Sequence, residues 1–332
     1  MNTEEHVELP PTEGVVTFGV LGPFEIRNGE HAVLLKGRKQ RALLALLALR
    51  AGELVPKDVL VEEIWGEKAP RTARDSLHNC IFQVRRAVGR DLVQTRDQSY
   101  RLDVDAEHVD LLRFERLVAA AGRAGTAAVR TEQLRDALAL WRGPVLSDLS
   151  YESFVVREAP RLEELRLAAR RALLDAELEL GRSAELVPEL EALVHEHPFH
   201  ERFYAQLMLA LYRSGRQAEA LDVYRRARAA LLEHLGIDPG PDLRRLEQAI
   251  LQQSRELDAP IWSDDRTASA HPSRRGRQQR LTVVVRESAR TVRALDRAEL
   301  RKVVSRQLTT FRAKGWRQTS PGVLRTDSRG KP

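Results

Sequence analysis

Between residues 15 and 104 the hydrophobic period changes in a fixed order, and few small folds accommodate that order. VTFGVLGPFEIRNGEHAVLL is β-rich and broken by Gly22-Pro23 and Asn28-Gly29, which predicts two or three short strands with a hairpin turn at Asn-Gly. KGRKQRALLALLALRAG follows, with Leu43, Leu44, Leu46, Leu47 and Leu49 separated by alanine and a stop at Gly52, the pattern of a buried helix with a basic first turn. LVPKDVLVEEIWG predicts a second helix, opened by Pro56 and closed by Gly66. EKAP leads into a third, RTARDSLHNCIFQVRRAVG. After Gly89, Tyr100, Leu102 and Val104 alternate as a half-buried strand does, behind a turn at Asp97 to Ser99. Strands, three helices and a closing hairpin, in that order, spell a winged helix.

The third helix carries the question of function. At about 100° per residue, Ala73, Leu77, Ile81, Val84 and Val88 share one side, while Arg71, Asp75, His78, Asn79, Phe82 and Arg86 point away. The outer side is either an ordinary solvated surface or one built to meet something acidic. In a winged helix this helix enters the major groove, its apolar stripe seated on the first two helices. On that reading Arg71, His78, Asn79, Phe82 and Arg86 face base edges. Arginine grips guanine O6 and N7 in bidentate fashion, the Asn79 amide matches adenine N6 and N7, and Phe82 meets a thymine methyl or a sugar unless it tucks against the wing. Arg74 and Arg85 lie toward the flank and are assigned to phosphates. Thr72 offers a hydroxyl and a backbone N–H at the positive end of the helix dipole. Lys36, Arg38, Lys39 and Arg41 at the start of the first helix, with Arg96 near the wing tip, are expected to position the protein on phosphates or in the minor groove. Trp65 is expected in the core.

From Asp110 to residue 254 the pattern is helical throughout. LLRFERLVAAAG, TEQLRDALALW, FVVREAPRLEELRLAARRALLDAELELG, ELVPELEALVHEHP, ERFYAQLMLALYRSG, QAEALDVYRRARAALLEHLG and PDLRRLEQAILQQ predict seven helices joined by short turns. Leu207, Ala220, Tyr224 and Ala227 sit at tetratricopeptide spacings, with Met208 at the usual glycine position.

Residues 15–104 resemble the OmpR-type winged helix-turn-helix, in the version found in the Streptomyces antibiotic regulatory protein (SARP) family. The matching stretches are VTFGVLGPFEI, KGRKQRALLALLAL, IWG followed by Pro70, ARDSL, VRRAVG and YRL. Ser99 departs from the pattern, since a glycine commonly precedes the tyrosine. The helical segment is similar to the bacterial transcriptional activator domain that follows the winged helix in SARP proteins, notably in WRGPVLSDL, HPFHERFYAQLMLALYRSGRQAEALDVYRR and LGIDPGPDLRRLEQAIL. The expected fold is therefore mostly α with a small β component, an N-terminal winged helix-turn-helix followed by an all-α tetratricopeptide-like repeat. The expected boundaries are a flexible arm (1–14), the DNA-binding domain (15–104), the activator domain (105–254) and a basic linker and tail (255–332). The resemblance implies an activator of a secondary-metabolite, often antibiotic, gene cluster. It implies binding to direct repeats in double-stranded DNA, a homodimer or tandem protomers on DNA, and recruitment of RNA polymerase holoenzyme with its sigma factor. A helical-repeat adaptor working through protein contacts, with the winged helix as an interaction module, is the alternative.

Charge alone does not decide between them. The chain carries +6, but residues 255 onward hold 19 Lys plus Arg against 8 Asp plus Glu, so residues 1–254 are net acidic. Within residues 15–104 the balance is 15 basic to 11 acidic. In the tail, LTVVV could be a strand and DRAELRKVVSRQLTTFRAKG a short amphipathic helix. A basic appendage and a small module both fit, as does nonspecific phosphate contact. Enzyme chemistry finds no purchase: the phosphate-loop, GxGxxG, HExxH and GxSxG patterns are absent, and no catalytic residue, cofactor or metal is expected. His195 and His197, two apart, do not share a helix face with each other, and with His200 are read as solvated. Cys80, the single cysteine, excludes an internal disulfide and lies on the apolar side of its helix. No apolar run approaches the roughly 20 residues that cross a bilayer, and the start lacks signal-peptide order. A cytoplasmic, nucleoid-associated protein without a membrane partner is expected, with no receiver domain expected ahead of the winged helix.

Overall fold

The computed structural model describes residues 14–66 and 69–258, with the backbone of 316–320 and 323–326. The first sheet is antiparallel, β1 (Val16–Gly19), β2 (Glu25–Asn28) and β3 (His31–Ala32) in that order. Asn28 pairs with His31 across a tight turn at which Gly29 takes φ +57°, a conformation glycine reaches without steric cost. Three helices follow, α1 (Arg38–Leu49), α2 (Lys57–Trp65) and α3 (Ala73–Val88). Between the first two, β4 (Val55–Pro56) joins the closing hairpin of β5 (Val93–Arg96) and β6 (Ser99–Leu102), with β6 central. Pro56 is thus the cap of α2 rather than its first turn.

Helices α4 (Asp110–Arg123), α5 (Ala127–Ala139), α6 (Ser153–Glu179), α7 (Ser183–Glu196), α8 (Glu201–Arg213), α9 (Gln217–Leu235) and α10 (Pro241–Leu251) follow, joined by short turns except for residues 140–152 between α5 and α6, which hold a 3-10 turn (Ser147–Leu149). Leu207, Met208, Ala220 and Ala227 are fully buried where α8 and α9 pack, so methionine fills the volume that a glycine leaves open in the repeat pattern. β7 (Trp316–Ser320) and β8 (Val323–Thr326) form a separate antiparallel pair. The strand read in LTVVV and the helix read from Asp296 lie outside the described residues, as does the N-terminal arm.

The buried residues do not divide at residue 104. One continuous cluster runs from Val16 through α1, α3 and the wing and on through Leu111, Phe114, Leu134, Trp141 and Leu149 to Ala169. A second occupies α7 to α10 with Leu174 and Leu178. The helix α6 contributes to both.

Polar contacts follow the same seam. Asp110, at the start of α4, accepts the Val20 and Leu21 N–H groups at 2.8 and 3.0 Å and pairs with Arg142 at 3.3 Å. Burial pushes its carboxyl up, against the opposing pull of those N–H groups and of Arg142. Arg142 also donates to the Pro23 carbonyl and pairs with Glu25. Its own N–H bonds the Leu21 carbonyl, and the Leu146 N–H bonds that of Val20. Leu146 does this in the left-handed region, φ 45°, with its side chain wholly buried. A strained non-glycine backbone costs on the order of 1–3 kcal/mol and persists where its surroundings over-determine it. Residues 141–149, the WRGPVLSDL stretch, are therefore a clasp on the first sheet.

Candidate nucleic-acid interface

The apolar stripe of α3 is buried as its period dictates, with Ala73, Leu77, Ile81, Val84 and Val88 all 3% exposed or less. Each of the larger four contributes roughly 1.5–3 kcal/mol by leaving water, which holds the helix against α1 and α2. Asp75 in its first turn and Arg85 and Arg86 in its last suit the helix dipole.

The opposite face is open. Arg71, Thr72, Arg74, Asp75, His78, Asn79 and Arg86 are exposed, and Phe82 keeps 54% of its surface in solvent, so it does not tuck against the wing. Among the described residues Arg71, His78, Asn79 and Arg86 have neither hydrogen-bond nor ion-pair partners. Thr72 precedes the helix without a side-chain capping bond. The result is a row of unpaired donors interrupted by one aromatic ring. Arg90 is also exposed, just past the end of the helix at Gly89. Cys80 is half-buried and its thiol is pushed up by burial, as befits a small apolar side chain.

Several of the cations expected on phosphates have partners within the chain. The Arg41 guanidinium donates to the Phe24 carbonyl at 2.8 Å and to Asp148 Oδ2 at 2.6 Å, stacked over the Phe24 ring. The Lys39 ammonium is bonded to the Ile64 carbonyl beside the Trp65 ring, and Trp65 packs on the core as expected. These two cations serve the fold, because the end of α2 and the clasp present carbonyls and a carboxylate that the sequence does not advertise. Arg85 is likewise taken, by the wing: it donates to the Val93 carbonyl and to Thr95 Oγ1. Arg38 pairs with Glu152 at 3.1 Å and Arg74 with Asp58 at 2.8 Å, both with most of the arginine still in solvent. Lys36 and Arg96 are exposed and unpaired among the described residues.

The wing tip is a two-residue turn, Asp97-Gln98, between the Arg96–Ser99 pair. Asp97 supplies the left-handed φ of 50°, a conformation Asp tolerates, so the glycine missing at Ser99 is not needed for closure. Lys57 braces the tip, its N–H on the Gln98 carbonyl and its ammonium on the Gln98 side chain. The histidines of HEHP and beyond are only partly as expected: His195 is exposed, while His197 and His200 are half-buried against Phe203. Among the described residues no group of His, Cys, Asp or Glu is placed to hold a metal ion, and no helix is long and apolar enough to cross a membrane.

Comparison with known proteins places this geometry. Residues 31–102 match the family described as "Transcriptional regulatory protein, C terminal", and residues 109–251 match the bacterial transcriptional activator domain. The regulatory protein DnrI of Streptomyces peucetius is 38% identical over 253 residues, which is 72% of this chain and 93% of that protein. The chain belongs to the SARP family. It is also 37% identical to the regulatory protein AfsR of Streptomyces griseus over 76% of this chain, although that match spans only 26% of AfsR. A solved structure of Mycobacterium tuberculosis EmbR in complex with a low affinity phosphopeptide superposes with a TM-score of 0.70 at 38% identity, covering 75% of this chain and 67% of that one. The winged-helix and helical architecture is thus shared, and the protein is a SARP-type transcriptional regulator, a class that binds DNA.

Proposed function

We propose that this SARP-type activator reads DNA with the outer row of α3 and holds the duplex with the wing. The observation that carries the reading is that row itself: Arg71, His78, Asn79, Phe82 and Arg86 stand exposed on one face, unengaged by the rest of the described chain, over a fully buried stripe. An aromatic ring left half in water costs apolar hydration until something covers it, and a thymine methyl in the major groove does so. Arg71 and Arg86 suit guanine, Asn79 suits adenine, and Thr72, Lys36, Arg74, Arg90 and Arg96 suit phosphates. Residues 15–104 are the DNA-binding part and 105–254 the part that meets protein. On direct repeats about one helical turn apart, two protomers lie on the same side of the duplex. From there the helical part recruits RNA polymerase holoenzyme to a secondary-metabolite gene cluster.

The test is a genome-wide binding map of the tagged protein in its host, read with transcript levels after deletion. Short direct repeats upstream of genes that fall silent establish the activator and its operator. On that operator, Arg86→Ala and Asn79→Ala weaken cognate binding by about tenfold or more each and leave random-sequence binding nearly unchanged. Equal losses on both DNAs overturn base reading by these residues.

A further inference from the structure

Arg85 leaves the recognition helix not toward solvent but across to the wing. Its Nε and Nη2 converge on the Val93 carbonyl at 2.9 and 2.7 Å, and Nη2 also reaches Thr95 Oγ1 at 2.7 Å. The guanidinium lies over the Tyr100 ring, 5.9 Å from its centroid, and the phenol is pushed up by burial despite that neighbouring cation. Tyr100 itself is the β6 residue that pairs with both Thr95 of β5 and Val55 of β4. One side chain therefore grips β5 at two places and covers the residue that centres the small sheet. The grip ends one residue before Arg96, whose side chain is exposed and unpaired among the described residues.

The base of the wing is seated in the core through Val93, Tyr100 and Leu102. β4 contributes the two pairs Val55–Tyr100 and Pro56–Ser99, both to β6, so among the described residues β5 is an edge strand. Lys57 supports the tip from the β6 side, through Gln98. Among the described residues Arg85 is the polar side-chain link between β5 and α3, and a planar fork on a carbonyl and a hydroxyl fixes orientation in a way a lysine does not.

We propose that Arg85 is a positioning residue: it locks β5 to the recognition helix and so fixes where Arg96 meets the DNA backbone when α3 occupies the major groove. The proposal rests on the DNA-reading role given above. Major-groove and wing contacts are then made by one preorganised surface, and the ordering of the wing does not have to be met at binding.

The experiment is a double-mutant cycle on the full chain with its operator, following affinity against salt by fluorescence anisotropy. Arg96→Ala is measured in the wild-type, Arg85→Met and Thr95→Val backgrounds. Thr95→Val removes one acceptor of the fork on an exposed residue and guards against an Arg85 variant that folds poorly; circular dichroism and thermal unfolding are followed for each. In the wild-type background Arg96→Ala is expected to lower affinity several-fold and to reduce the log–log salt slope by about one. In Arg85→Met that effect disappears, because Arg96 is no longer held in place, and in Thr95→Val it shrinks. If Arg96→Ala costs the same in all three backgrounds, Arg85 does not position the wing, and the DNA-reading role stands. If Arg96→Ala costs nothing in the wild type while Asn79→Ala still does, the wing does not touch DNA and the proposal is overturned. Loss of effect at both Arg96 and Asn79 removes the DNA-reading role itself.

Discussion

Asp148 is the sharpest place to test the clasp between the winged helix and the helical part. Its Oδ1 accepts the Phe24 N–H at 2.7 Å and its Oδ2 the Arg41 guanidinium at 2.6 Å, so one carboxylate satisfies a backbone donor and a cation at once. Phe24 is 2% exposed, so in Asp148→Ala its N–H loses its partner beside a buried ring. An unsatisfied buried donor costs about 1–3 kcal/mol. The ion pair adds less: with 26% of Arg41 and 33% of Asp148 in solvent, its share is about 1 kcal/mol or below. The total for Asp148→Ala is about 1–4 kcal/mol, a sizeable fraction of a typical stability of 5–15 kcal/mol. Asp148→Asn keeps an acceptor for Phe24 but turns its NH2 toward Arg41, so the charge and the Arg41 bond are lost, at about 1 kcal/mol. Urea unfolding of the full chain, followed by tryptophan fluorescence and by circular dichroism, gives both values. A loss below about 0.5 kcal/mol for the alanine variant, or equal losses for the two variants, refutes the account of Asp148 as a shared anchor.

Other consequences are as direct. Residues 15–104 expressed alone expose Phe18, Val20, Leu21 and Phe24, which share a core with Phe114, Trp141 and Leu146. That fragment is expected to unfold at markedly lower urea concentration than residues 14–258, and a fragment as stable as the longer chain contradicts the single core. Phe82→Ala is expected to leave the unfolding midpoint nearly unchanged while weakening operator binding by about tenfold, as loss of an apolar contact in a groove should; a large stability loss with intact binding reverses its role. For His200, burial holds the imidazole below its ordinary value, helped by Arg171 and His197 and opposed by Glu164. The unfolded chain therefore takes up this proton first as pH falls, and folding free energy declines below about pH 6.5. His200→Gln should flatten that decline in urea melts between pH 7.5 and 5.5, and an unchanged slope would show that His200 does not contribute to it.

The sequence made the helices legible because each buries a stripe of fixed period, and α3 is the clearest case: all five of its stripe residues are buried and its outer row is exposed. The same logic could not see the clasp. Arg41 and Asp148 are 107 positions apart, and a run such as Lys36, Arg38, Lys39 and Arg41 has the same appearance whether its charges meet phosphate or carboxylate. The partner of Arg85 is hidden for a related reason, since its position on the flank of α3 gives its direction but not the carbonyl of Val93 waiting there. Leu146 and its neighbours were recognisable by resemblance without showing why, because a left-handed leucine has no composition signature. Domain edges drawn from periodicity fell at residue 104, where the pattern changes, although the buried cluster continues across it.

Helix α6 sets a phase relation within the molecule. Phe154, Val155, Leu162 and Ala169 belong to the core that carries the winged helix, while Leu174 and Leu178 belong to the core of α7 to α10. No loop intervenes between Ala169 and Leu174. Each residue of an α-helix turns the chain by about 100° and advances it 1.5 Å. The angular bearing of α7 to α10 about the winged helix is therefore counted out in whole residues along one rod. A single insertion between Ala169 and Leu174 would swing the far repeats through more than a quarter turn while leaving the surface of α3 untouched. Such a regulator would keep its operator and lose its alignment with whatever it must meet beside the promoter.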